Sequence, residues 1–145
     1  MRRVILPCLV AAALLAPAVA TAQNQWQQTV RHQVGQHGDF LSERGYTMSG
    51  DVYDGKLNAD AIEDLTITLR PGISYAFMGV CDEDCHDIDL RLYDPDGDEV
   101  ASDVRSDDWP IVTVTPPFKG TYRVRVVMAS CSRNPCFYGI GLFTK

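Results

Sequence analysis

Twelve of the nineteen acidic residues of this 145-residue chain fall between positions 82 and 108. Carboxylates at that density suit cation binding or acid–base chemistry. Asp94, Asp96 and Asp98 form the sharpest group, three short carboxylates on the turn DPDGD. With nearby carbonyls they could supply part of the roughly six to eight oxygens that calcium takes. Asp82, Asp84, Asp103, Asp107 and Asp108 could converge on them from neighbouring loops. The pattern is not an EF-hand, because Gly97 comes at the fourth place from Asp94 rather than the sixth and no bidentate Glu follows at the twelfth. Weakly bound calcium is thus the one candidate cofactor. Its competitor is an ordinary turn whose carboxylates are served by water and by Arg91 or Arg105.

Other reactive residues lack a catalytic setting. Asp87 and Asp89 sit two apart on one strand face, about 7 Å between Cβ atoms, a separation glycosidase chemistry can use. A glycosidase also needs a deep sugar cleft, which a small β-domain builds only with long loops. The run Gly72-Ile73-Ser74-Tyr75-Ala76 imitates a nucleophile elbow, but an elbow joins a strand to a helix and this one opens a β-type run. His32 and His37 do not form H-E-x-x-H, and His86 beside Cys85 reads as a surface residue. Arg123 and Arg125 share a strand face and are expected to pair with acidic neighbours such as Asp87 or Asp89. Trp109 before Pro110 reads as a cap on the domain edge. No catalytic residue is assigned, and a small hydrolase using the acidic cluster is the competing class.

The cysteines and the amino terminus speak to compartment. Residues 1–22 have the form of a secretory signal peptide: Arg2 and Arg3, an apolar run, then Ala20-Thr21-Ala22. The run is shorter than the roughly 18 to 20 residues that span a bilayer, so no membrane span is expected once it is removed. Removal takes two of thirteen basic residues, leaving eleven against nineteen acidic, a formal charge of −8. Nucleic acid is excluded as a partner on that charge. Cys8 leaves with the signal, and Cys81, Cys85, Cys131 and Cys136 remain. Four cysteines in an oxidising compartment favour two disulfides over zinc, whose tight knuckle spacing is missing. Of three possible connectivities the expected pairs are Cys81 with Cys85 and Cys131 with Cys136, each closing its own strand connection, with cross-loop pairing as the alternative.

The elements that must position these groups are short strands. Residues 23–45 are polar and glutamine-rich, with Trp26, Val30 and Val34 at i, i+4 and i+8. They predict a short amphipathic helix on the domain or a mobile leader, weakened by Gly35 and Gly38. From position 46 the texture is β. Asp54-Gly55 reads as a hairpin turn. Leu65, Ile67 and Leu69 alternate with polar residues, Pro71-Gly72 turns the chain, and Ile73, Tyr75 and Phe77 restart the alternation, which reads as a hairpin. Ile88, Leu90 and Leu92 make a strand that turns at DPDG and returns from Val100. Tyr122, Val124, Val126 and Met128 share one strand face. In the last strand Tyr138, Ile140 and Leu142 take one face and Gly139 and Gly141 the other, which predicts a backbone or ring lying close on the glycine side. Seven to nine such strands without alternating helices predict one all-β domain, an antiparallel β-sandwich or jelly roll over residues 46–145.

Leu65-Thr66-Ile67 through Pro71-Gly72, Tyr75-Ala76-Phe77, the run from Asp87 to Asp94 with Gly97, and Pro116 with the run from Gly120 to Val126 together resemble the bacterial pre-peptidase C-terminal domain. The resemblance implies a calcium-associated β-sandwich that aids the secretion, localisation or substrate contact of an enzyme. Too few residues precede Leu65 for a peptidase, and the four cysteines are not a general feature of that family. The sequence therefore points to an exported binding or stabilising module, secreted or periplasmic, in contact with an unknown protein or extracellular polymer. The alternative is an accessory or inhibitor subunit of a separate secreted peptidase.

Overall fold

The period-two runs are strands in the computed structural model, which describes residues 19–145; the signal-peptide expectation lies outside the described residues except for its last four positions. After α1 (Val19–Ser42) come β1 (Thr47–Met48), β2 (Tyr53–Leu57), β3 (Ile62–Leu69), β4 (Tyr75–Cys81), β5 (Cys85–Tyr93), β6 (Glu99–Asp103), β7 (Ile111–Val114), β8 (Gly120–Cys131) and β9 (Cys136–Thr144). Every pairing is antiparallel. The first sheet runs β1-β9-β4-β7, with β2 also on β9, and the second runs β3-β8-β5-β6. Inward residues such as Phe77, Leu90, Leu92, Val124, Val126 and Tyr138 interlock between the sheets. Removing each such aliphatic or aromatic side chain from water is worth roughly 1.5–3 kcal/mol. The expected all-β sandwich is the observed fold.

Strand order along the chain alternates between the sheets, so only the β1–β2 and β5–β6 connections stay within one. This corrects the expected Leu65–Phe77 hairpin. Pro71 and Gly72, with φ 78° at the glycine, do turn the chain, but β3 pairs β8 while β4 pairs β7 and β9. A two-residue turn fixes a reversal; the apolar faces, both directed at one core, decide that the two strands oppose rather than adjoin. The β5–β6 reversal is a true hairpin with a register shift at Leu92/Tyr93.

The Asp54-Gly55 turn is a second correction, since both residues lie within β2, opposite Gly139 and Tyr138. A Cβ on Gly55 would fall 2.7 Å from the Tyr138 ring. Gly55 is there to admit a ring, not to bend the chain.

α1 lies across the outer face of the first sheet and extends unbroken through Gly35 and Gly38. Val30, Val34 and Leu41 are buried against Ala76, Met78, Val80 and Phe143. The glycine side of β9 is what lets it settle: a Cβ on Gly139 would meet Val30 at 3.0 Å, and one on Gly141 would meet Val34 at 2.6 Å. Gly38 does the same from the helix side, over the Phe143 ring. The helix ends in a Schellman cap, Tyr46 N–H bonding Leu41 O at 3.1 Å and Gly45, φ 82°, bonding Ser42 O at 2.9 Å.

Both disulfides form the expected local pairs, Cys81–Cys85 and Cys131–Cys136, each with 5.9 Å between Cα atoms. Each joins the end of one sheet to the start of the other, and Cys85 lies opposite Cys131 across β5 and β8. They tie the two sheets together at one end of the sandwich.

Candidate functional site

The candidate calcium turn holds its own geometry. Asp94 Oδ1 accepts the backbone N–H of Asp96 at 3.0 Å and of Asp98 at 2.9 Å, closing an Asx-type loop with Gly97 at φ 92°. This turn follows the last residue of β5, whereas Asp82, Asp84 and Asp108 lie at the Cys81–Cys85 end where β5 begins. Nine residues of strand, roughly 26 Å, separate the groups, so they do not converge on the turn. Among the described residues no three His, Cys, Asp or Glu side chains meet in a metal-holding arrangement.

Asp87 and Asp89 lie beside the β6–β7 loop rather than beside Arg123. Asp103 there accepts Arg105 Nε at 3.0 Å and Ile111 N–H at 3.0 Å, and Asp107 Oδ2 lies 3.7 Å from Arg105 Nε. Hydrogen bonds from Arg105 hold the Asp103 carboxyl below the usual range. Asp87 and Asp89 are pushed the other way, each chiefly by burial, Asp89 further by the charge of Asp87. Asp82, only 3 % exposed, is also raised by burial; its Oδ2 accepts Phe137 N–H at 2.9 Å and fastens the β4–β5 turn to β9. Asp82 and Asp103 thus have structural tasks, each accepting a backbone N–H from another strand. Ser74 hydrogen-bonds Thr115 at 2.8 Å in a turn between strands, and His37 stacks on Trp109 at 5.2 Å. Trp109 thereby caps the contact between α1 and the β6–β7 loop, with Phe40 edge-on at 6.1 Å.

Arg123 and Arg125 find a partner that the sequence reading missed. Asp64, on β3, takes Arg125 Nε at 2.8 Å and Nη2 at 2.9 Å, and Arg123 Nη1 at 3.0 Å. It sits directly opposite Arg125 in the β3–β8 register, whereas the expected partners Asp87 and Asp89 face the other end of β8. Both guanidiniums lie over Tyr93, at 4.2 and 5.5 Å. These bonds, Arg125's first, hold the Asp64 carboxyl down to about 2.

What the sequence reading did not find is a cleft. Between Met48 and Tyr53 the edge of the first sheet is interrupted, with Gly50 at φ 81° carrying the chain outward. The facing strand β3 pairs only β8, so it too is an edge. Between these edges a cleft of about 200 Å3 enters the sandwich core. Its walls are Leu65 and Ile67 from β3, Ile140 and Leu142 from β9, with Phe77 and Val124 behind them; Ser49, Asp51, Tyr53 and Thr66 complete the lining. At one side the Glu63 carboxylate bridges the Tyr53 hydroxyl at 2.5 Å and the Tyr138 hydroxyl at 2.6 Å, tying the sheets together there. Two other concavities, beside Trp26 and beside Phe137, are lined largely by polar residues of α1 and β2. The only sequence signal for the cleft is negative: a strand pattern that lapses at Gly50 while Leu65 and Ile67 remain apolar.

No helix among the described residues is long and apolar enough to cross a membrane. The sequence matches no protein-family model and no curated protein.

Proposed function

We propose that this protein is an exported, non-enzymatic binding module that holds a protein or polymer by an apolar group seated in the cleft between the β1–β2 link and β3. The observation that carries the reading is the cleft itself, a concave apolar site opening between two sheet edges. Binding sites are characteristically concave, mostly apolar and edged by a few polar groups. Export is supported by the signal-like amino terminus and by two disulfides, which persist in oxidising compartments.

A photo-crosslinking residue at Ser49, on the cleft, and another at Thr121, exposed on the outer face of the second sheet, test the site in the native export compartment. A partner captured from Ser49 and not from Thr121 is the expected result; equal capture, or capture from Thr121 alone, would move the site elsewhere. A captured peptidase would make the partner the enzyme that the family resemblance implies. Turnover in a glycoside and peptide substrate screen, lost in the Asp87→Asn, Asp89→Asn double variant, would replace the binding reading with a hydrolase.

A further inference from the structure

We infer that the partner presents an extended protein segment, apolar at alternate residues, which adds to the free edge of β3 as a further strand and closes the cleft. The inference rests on the cleft being the binding site and adds what the partner brings to it. β3 is the longest free edge of the sandwich. Its eight residues pair β8 in unbroken register, whereas the other edge strands β1, β2, β6 and β7 have two, five, five and four. Sheet edges are ordinarily guarded by shortness, a bulge, proline or charge, lysine above all. From Ile62 to Leu69 there is no proline, lysine or bulge. The two charged residues are already engaged, Glu63 by Tyr53 and Tyr138, Asp64 by Arg123 and Arg125.

Which backbone groups of β3 are free follows from the start of the strand. Asp60, at φ 63°, donates its N–H to Met128 O at 2.8 Å, and Met128 N–H bonds Ala61 O at 3.0 Å. The backbone of Met128 therefore faces β3. Facing alternates along an antiparallel ladder, so Val126, Val124 and Tyr122 face it too, opposite Glu63, Leu65 and Ile67. Asp64, Thr66 and Thr68 turn their N–H and C=O groups to the open side, where no other backbone group bonds them among the described residues. A strand bonded there lies about 4.8 Å beyond β3, across the mouth of the cleft. Its residues beside Leu65 and Ile67 point inward toward Ile140 and Leu142, and the alternate residues point to water. Met48 and Tyr53 on the facing edge, and Ile62 at the head of β3, are exposed apolar side chains around the same opening, as a contact surface requires. Charge selects the ends of the segment. Asp51 on the cleft and Asp60 before β3 are exposed carboxylates, with Arg31 Nη1 4.0 Å from Asp51, so lysine or arginine there is favoured over an acidic residue.

The probe is a capped peptide as long as β3, leucine and threonine alternating between terminal lysines, added to the disulfide-intact protein and followed by amide hydrogen exchange. The N–H groups of Asp64, Thr66 and Thr68 should exchange at least about ten-fold more slowly at saturation, with the amides of β6 unchanged. N-methylation of one alternate set of the peptide's amides should abolish the effect and methylation of the other set should leave it, because only one set faces β3. Thr66→Pro removes a single outward donor, a change edge strands accept, and should weaken binding at least about ten-fold where Thr66→Val does not; the methylated peptides decide the matter if the proline variant does not fold. Absent binding, or equal binding of the two methylated peptides, would overturn the inference. Protection of the same amides by raising the protein concentration without peptide would replace the partner segment with a second copy of this chain. Capture of the native partner from Ser49 should be lost in folded Thr66→Pro; capture retained there would keep the cleft and remove strand addition, whereas no selective capture from Ser49 in the wild type would remove the cleft itself.

Discussion

The two outer faces of the sandwich are finished in opposite ways. On the first sheet Gly139 and Gly141 remove side chains so that Val30 and Val34 of α1 can sit on the backbone. On the second, Asp64, Arg91, Glu99, Arg123 and Arg125 stand in solvent and pair with one another around Tyr93. One face is closed by contact at van der Waals distance, the other by charge in water. Stability resides mainly in the first, because packing is not screened, whereas exposed ion pairs are worth little each. The concavities beside α1 on the first face are lined largely by polar residues. The opening left between the sheet edges is where binding is assigned.

The contrast is broken most severely from the closed face. Gly141→Val places its first carbon against Val34 and Phe143 and should cost about 3 kcal/mol by overpacking. Thr121→Val on the open face should change stability by no more than about 0.5 kcal/mol. Urea denaturation followed by tryptophan fluorescence measures both, since Trp26 and Trp109 each touch α1 or lie on it. Equal effects would mean that the helix is not an integral layer. Within the sandwich, Gly55→Ala should cost about 2 kcal/mol because the new methyl collides with Tyr138. A neutral outcome would return Gly55 to the role of a turn residue.

Much of this was legible in the sequence. Alternation gave the strand faces, the paired glycines of β9 announced a close neighbour, and the spacing of cysteines gave both disulfides. The misread segments share a cause. Asp54-Gly55 and Pro71-Gly72 look alike as turn chemistry, yet Gly55 answers to a ring arriving from residue 138, and Pro71-Gly72 joins strands whose pairing partners lie far along the chain. Asp64 went unnoticed as the arginine partner because register across β3 and β8 is a tertiary fact. The cleft depends on where two edges fail to meet, which local pattern does not record.

Smaller effects sharpen the charged side of the comparison. Asp64→Asn should cost about 1 kcal/mol at pH 7, a third of the side chain being exposed and the pair screened accordingly. The sign of its pH dependence follows from the lowered folded value: the contribution is complete above the unfolded value of about 3.9 and is lost as pH falls toward about 2. Asp82, Asp87 and Asp89 are raised by burial and act in reverse, their ionisation penalty being relieved as pH falls through their folded values toward that of the unfolded chain. Calorimetric melting should therefore show a stability maximum in mild acid, and Asp89→Asn should flatten the approach to it from neutral pH. A monotonic loss from pH 7 downward in the wild type would contradict these directions. Calcium should have the smallest effect. A site with a dissociation constant of about 1 mM, the weak end for extracellular modules, gains about 0.6 kcal/mol at about 2 mM calcium, or about 3 °C in the melting midpoint. With Asp94 Oδ1 already accepting two amides, the shift should stay below that; a larger one, absent with magnesium, would give the turn a ligand set that its hydrogen bonding does not suggest.

The binding assignment is tested most directly by methyl-resolved NMR of the folded protein with toluene as a small apolar probe. Nuclear Overhauser contacts from the probe to the methyl groups of Leu65, Ile67, Ile140 and Leu142 are the predicted result. Contacts confined to exposed residues away from the cleft, such as Val100 and Val104, would contradict it.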